Sequence, residues 1–173
     1  MKCKIMYVLA IGLCLLSFGC NEIDDGDYVA PITIYEKVNG DWSLMSLKMV
    51  DEFAKANAIE PSEENLSTLF NYPDFKINFN VDTNNQPTSY EVSGNVPPLF
   101  APKGYWKLST DFQLTDGTAT KILLYSDAQK TQKTDELLIK SVPGNNEQME
   151  IQLVRTSGGA AFVSYVFKLK AIN

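Results

Sequence analysis

Phe75, Ile77, Phe79 and Val81 alternate with Lys76, Asn78 and Asn80, and this period of two recurs in short runs from Val38 to the end of the chain. Alternation of that kind puts one row of side chains inside and the other in water, so it specifies half-buried strands. The first strand is expected at Trp42 to Met49, opened by Asn39 and Gly40. Tyr90 and Val92 mark a third strand, and Trp106, Leu108, Thr110, Phe112 and Leu114 share one face of a fourth. Asp116 and Gly117 are a strong hairpin signal, returning the chain as Ala119 to Tyr125. Asp135 to Val142 and Glu147 to Thr156 flank the turn Pro143, Gly144, Asn145, Asn146. In the last strand Val163, Tyr165, Phe167 and Leu169 alternate with Ser164, Val166, Lys168 and Lys170. Helix is expected only between the first two strands, at Asp51 to Ala58 and Pro61 to Phe70, where Leu66, Leu69 and Phe70 form a stripe. The pattern is all-β with eight strands, the number at which an antiparallel up-and-down barrel closes around side chains or one small ligand. A two-sheet sandwich gives the same count.

The N-terminal segment sets the compartment. Lys2 and Lys4 precede an apolar stretch of 12 residues, Ile5 to Leu16, with small Ser17 and Gly19 before Cys20. This is a secretory signal, too short to span a bilayer. Leu15 to Cys20 is similar to a bacterial lipobox, with Ser17 where an aliphatic residue is usual. The expected organisation is a signal peptide over 1–19, a flexible acidic tether over 20–33 and a barrel domain over 34–173, with lipid on the Cys20 sulfur. Cys3 and Cys14 leave with the signal, so no disulfide framework remains. Loss of Lys2 and Lys4 leaves 13 basic against 21 acidic residues, a net of −8 where the whole chain has −6. Such a surface disfavours nucleic acid and anionic headgroups, so the membrane is a partner only through the acyl anchor. The run Asn21, Glu22, Ile23, Asp24, Asp25, Gly26, Asp27 is a solvated linker or resembles the surface-export signal of lipoproteins from Bacteroides-type bacteria.

Gly40, Asp41 and Trp42 match the Gly-x-Trp signature of lipocalins, and the excursion after the first strand lies where lipocalins have their largest loop. The whole chain resembles lipocalin-like domains of unknown function on lipoproteins of gut Bacteroides-type bacteria. The resemblance implies a lipocalin-like barrel near a nutrient-uptake system of the outer membrane, with Trp42 plugging the closed end. In lipocalins a late basic residue packs over that tryptophan, which implies that Arg155, the only arginine here, forms a barrel-closing structural pair with Trp42.

Chemistry is sparse. The chain has no histidine, and with Cys20 lipidated it keeps no free thiol, so histidine-based triads, cysteine nucleophiles and zinc sites fall away. Asp82 to Gln86 starts like a calcium loop, but Pro87 replaces the required glycine and Ser93 the bidentate glutamate. Ser157, Gly158, Gly159 reads as a turn. No catalytic, metal or cofactor residue is assigned, and the chain is expected not to be an enzyme. Aromatic rings are mostly core, though the parity of Tyr105 and Tyr125 points them outward.

Two functions are therefore expected of an outer-membrane lipoprotein. In one, an open barrel end lined by Leu108, Phe112 and Tyr165, with Leu99 and Phe100 in the loop beside it, binds a small apolar or glycan-like ligand. In the other, a filled barrel serves as a non-catalytic accessory subunit and meets another outer-membrane protein through its outer face. An interior void of roughly 300 Å³ or more favours the first.

Overall fold

The structure, a computed structural model, describes residues 32–112, 116 and 118–172. Cys20, the signal segment, the tether as far as Pro31, Leu114 and Gly117 lie outside the described residues.

Patterning alone gives no helix ahead of the barrel, yet one is present, α1 (Ile34–Val38). Its signal is local: Thr33 and Glu36 form a capping box, the Glu36 amide donating to Thr33 Oγ1 at 3.4 Å and Thr33 N donating to Glu36 Oε2 at 2.6 Å. These bonds hold the exposed Glu36 carboxyl below the usual range. Five residues are too few for an apolar period to show.

Nine strands follow: β1 (Gly40–Asp51), β2 (Glu63–Asn65), β3 (Lys76–Val81), β4 (Pro87–Ser93), β5 (Lys103–Leu108), β6 (Lys121–Tyr125), β7 (Lys133–Ser141), β8 (Gln148–Ser157) and β9 (Ala160–Ala171). Eight of them, β1 and β3 to β9, pair antiparallel with their neighbours, and β1 pairs with β9 to close the ring. Closure leaves no exposed sheet edge in the ring. The fold is thus the expected eight-stranded up-and-down barrel rather than a sandwich, with β2 outside the ring.

The excursion after β1 is less helical than its sequence suggests. Helix α2 (Glu52–Ala56) starts under the Asp51 cap, whose Oδ1 accepts from Ala54 N at 2.9 Å, and stops where Ala58 takes a positive φ of 53°. Instead of a second helix over Pro61 to Phe70, Glu63–Asn65 pairs with Lys48 to Val50. The cause is hydrogen-bond demand. Strand β3 pairs only with Gly40 to Ser43, so the second half of β1 has unpaired amides and carbonyls that β2 satisfies. Leu66 is buried, whereas Leu69 and Phe70 are exposed.

The barrel interior is filled by aromatic rings. Trp106 contacts Phe79 at 5.2 Å between centroids, Phe79 meets Tyr90 at 6.4 Å, and Tyr90 meets Phe100 at 6.4 Å. Phe100 in turn meets Phe167 at 6.1 Å, and Phe167 meets Phe75 at 5.4 Å. Gly104 makes room for this column: a Cβ there would lie 2.3 Å from the Tyr125 carbonyl oxygen and 3.0 Å from the Tyr90 ring. Around it pack Leu47, Ile77, Ile122, Leu137, Ile151 and Leu153, all buried.

Candidate functional site

The two ends of the barrel are closed by different means. At the first end α1 buries Ile34 and Val38, and the Trp42 indole, 2 % exposed, donates to Val38 O at 2.8 Å. Ile34 N donates to Asp111 O at 3.0 Å, tying α1 to the β5–β6 connection. Asn85 in the β3–β4 turn reaches Glu36 at 3.0 Å. Trp42 thus lies buried beneath α1 at this end.

At the opposite end the proline-rich connection between β4 and β5, residues 94–102, lies across the mouth as a strap. Its carbonyls accept from three side chains of the barrel wall and excursion. Tyr72 donates to Pro97 O at 3.4 Å, Tyr90 to Ala101 O at 2.9 Å, and the Arg155 guanidinium to Leu99 O. Arg155 also pairs with the Asp135 carboxylate, with side chains 36 % and 11 % exposed respectively. Burial, aided by the nearby Asp135 charge, pushes the Tyr90 hydroxyl up to about 12, and burial also raises that of Tyr72. Beneath the strap the hollow measures only about 50 Å³, lined by Phe75, Val92, Leu99 and Phe100 among others.

Arg155 does not reach Trp42. It sits opposite Val163, which pairs with Asp51, whereas Trp42 pairs with Ala171 at the other end of β1. The expected structural pair is thus two separate devices, Arg155 with Asp135 at the strap and Trp42 with α1. The ligand-lining set is divided in the same way. Leu108 ends β5 at the α1 end and is buried. Phe112 follows it into the connection and is exposed: β5 stops at Leu108, and beyond the last rung, Ser109 N to Lys121 O, Thr110 and Thr120 join hydroxyls at 3.1 Å. Tyr165 pairs with Met49 and Leu153 at the strap end, where Leu99 and Phe100 also lie. Tyr165, Leu99 and Phe100 are brought to one end; Leu108 and Phe112 are not. Tyr125 points outward but is buried, with the Lys107 ammonium 5.2 Å above its ring.

Sequence reasoning missed Asp135 as the partner of Arg155 and Tyr90 as a donor to the strap. Both were legible as inward positions of their strands, but their partner, a loop carbonyl, leaves no pattern. Another buried polar group lies on the outer face: Ser164, wholly buried, donates to Glu52 and accepts from Gln152 Nε2 at 2.9 Å. This bond pins α2 to β9. Among the described residues no group of three histidine, cysteine, aspartate or glutamate side chains is placed to hold a metal ion.

Larger concavities lie outside the barrel. One of about 350 Å³ runs over β7 and β8 beside Glu136 and Val154, and one of about 480 Å³ crosses β1, β9 and β8 beneath α2.

Residues 19–170 match the family described as Domain of unknown function (DUF5004). The chain belongs to the DUF5004 family. The match takes in all the strands of the ring, so this eight-stranded barrel is the structure of a DUF5004 domain. No curated protein and no solved structure matches the chain significantly.

Proposed function

We propose that this DUF5004 protein is a lipoprotein, anchored in a bacterial outer membrane through Cys20, whose filled barrel is a non-catalytic accessory module that binds a protein partner through its outer face. The observation that carries the proposal is the contrast in space. The interior hollow of about 50 Å³ is far below the roughly 300 Å³ of a small-molecule site, while the concavities on the outer wall reach about 480 Å³. The aromatic column occupies the place a ligand would take. A small apolar or glycan-like ligand would need the strap to leave the mouth and Phe100 to withdraw from Phe167.

Two experiments test the proposal. Cys20→Ala should abolish palmitate incorporation and release the protein from the membrane fraction; persistent labelling would contradict the anchor. A photo-crosslinking phenylalanine analogue placed at Val154 or Val166 should trap one membrane protein in intact cells. Absence of crosslinks from every outer-face position, with a stoichiometric small molecule in the barrel, would contradict the accessory role.

A further inference from the structure

The larger outer groove reverses the charge of the molecule. The chain carries 15 basic and 21 acidic residues, yet this groove is lined by Lys48, Lys55, Lys140 and Lys168 against Glu63 and Glu150. Lys48 and Glu63 are consumed by their own ion pair at 2.9 Å. Lys55, Lys140 and Lys168 form no ion pair among the described residues; the Lys48 hydrogen bond and charge, joined by the Lys55 charge, hold the Glu63 carboxyl below its usual range and Lys168 lies across from Glu150, which leaves four lysines against two glutamates along the groove.

Their placement follows from the fold. Helix α2, held on β9 by the Glu52–Ser164 bond, brings Lys55 over one wall. Lys168 lies across from Ser46 and Glu150, and Lys48 across from Val166, so Lys48 and Lys168 are diagonal neighbours about 7–8 Å apart. Lys140 continues the line on β7, beside Ser141, which pairs with Glu150. An extended peptide presents same-face side chains about every 6.8 Å, close to the diagonal spacing of Lys48 and Lys168. The floor between the lysines is Val50, Val166, Ser46 and Gln152, without an aromatic ring on which a sugar could stack.

We propose that this groove binds an extended acidic segment of the protein partner, whose alternate carboxylates meet Lys168, Lys140 and Lys55. The proposal rests on the outer-face function above and names its site and the chemistry of its partner. Exposed ion pairs are individually weak, so binding is collective and falls with salt.

The test uses the full lipidated chain in neutral detergent and a fluorescein-labelled decapeptide of alternating glutamate and threonine, followed by anisotropy. The peptide should bind, several-fold more weakly at 300 mM than at 50 mM sodium chloride. Lys168→Glu should cost about threefold and Lys55→Glu/Lys140→Glu/Lys168→Glu at least tenfold, with an unchanged melting temperature. Should the triple variant fold poorly, the three single lysine-to-glutamine variants read the same loss separately. Equal binding by the folded triple variant, equal binding of a glutamine–threonine peptide, or tighter binding of the polyuronate alginate would each overturn the proposal. Crosslinks from Val166 that persist in the triple variant would overturn the groove and leave the outer-face function standing.

Discussion

The α1 end and the strap end of the barrel have the same task and differ in how much of it falls to side-chain hydrogen bonds and charge. At the α1 end the closure is mainly apolar: Ile34, Val38 and Trp42 are buried, and the indole nitrogen is satisfied by Val38 O. Burial of that kind involves no titrating group and scales with area. At the strap end the buried Phe100 ring is joined by polar bonds, through carbonyls of residues 97–101 that accept from Tyr72, Tyr90 and Arg155. Each such bond contributes about 0.5–1.5 kcal/mol net, and the Arg155–Asp135 pair is partly wet. The α1 end is therefore part of the folding core, and the strap end is a seal of lower local stability.

The sharpest way to break this contrast is to delete the plug. Trp42→Ala should destabilise the whole domain by about 3–5 kcal/mol in denaturant melts, and a loss below about 1 kcal/mol would show that the α1 end is peripheral to the core. A smaller effect is expected at the strap. Arg155→Ala leaves the Asp135 carboxylate without its partner, but a third of the arginine side chain is in water. Screening reduces the cost to about 1–2 kcal/mol, below the 3–5 kcal/mol of a fully buried pair. Amide exchange at residues 94–102 should accelerate in this variant while exchange in α1 stays as it was. Because the two sites lie at opposite ends of β1, the Trp42→Ala/Arg155→Ala double variant should be additive within about 0.5 kcal/mol. Coupling well beyond that would restore the direct Trp42–Arg155 contact that the register denies.

The smallest effect is a pH dependence. The Tyr90 hydroxyl is raised to about 12 in the folded state, so folding favours its neutral form. Its contribution is fully present below the ordinary tyrosine value of about 10 and is lost as pH rises through about 12. Tyr90→Phe should cost about 1 kcal/mol at neutral pH, through the lost bond to Ala101 O. The gap between wild type and variant should change between pH 10 and 12 and stay flat from pH 6 to 9. A flat difference across the alkaline range would mean that Tyr90 is more solvated than its place in the aromatic column indicates.

Much of this architecture can be read from alternation alone. Phe75 to Val81 and Val163 to Leu169 each announce their inward row, and eight such rows fit a closed barrel or a sandwich, between which the pairing of β1 with β9 decides. Leu108 and Tyr165 were both correctly legible as inward. What alternation cannot carry is stagger. A barrel strand is tilted, so two inward residues on different strands share a level only if the register places them there, and here Leu108 lies with α1 while Tyr165 lies with the strap. The Met45 bulge in β1 adds a second loss, because the register shifts between Leu44 and Ser46 and one extra residue resets the inward row from Trp42 and Leu44 to Leu47 and Met49. The Thr33–Glu36 capping box was present in the sequence as a Thr-x-x-Glu signal for α1. The Arg155–Leu99 bond had no such signal, since a backbone carbonyl is common to every residue.

The central claim is that the barrel is filled by its own aromatic column, on which the proposed outer-face function rests. Native mass spectrometry of the lipidated protein, released gently from the membranes of its own cells, tests this most directly. The account predicts the mass of the acylated chain with no small molecule beyond the anchor, in wild type and in Arg155→Ala alike. A stoichiometric adduct that dissociates on activation, present in wild type and lost when Phe100 or Tyr165 is changed, would contradict it.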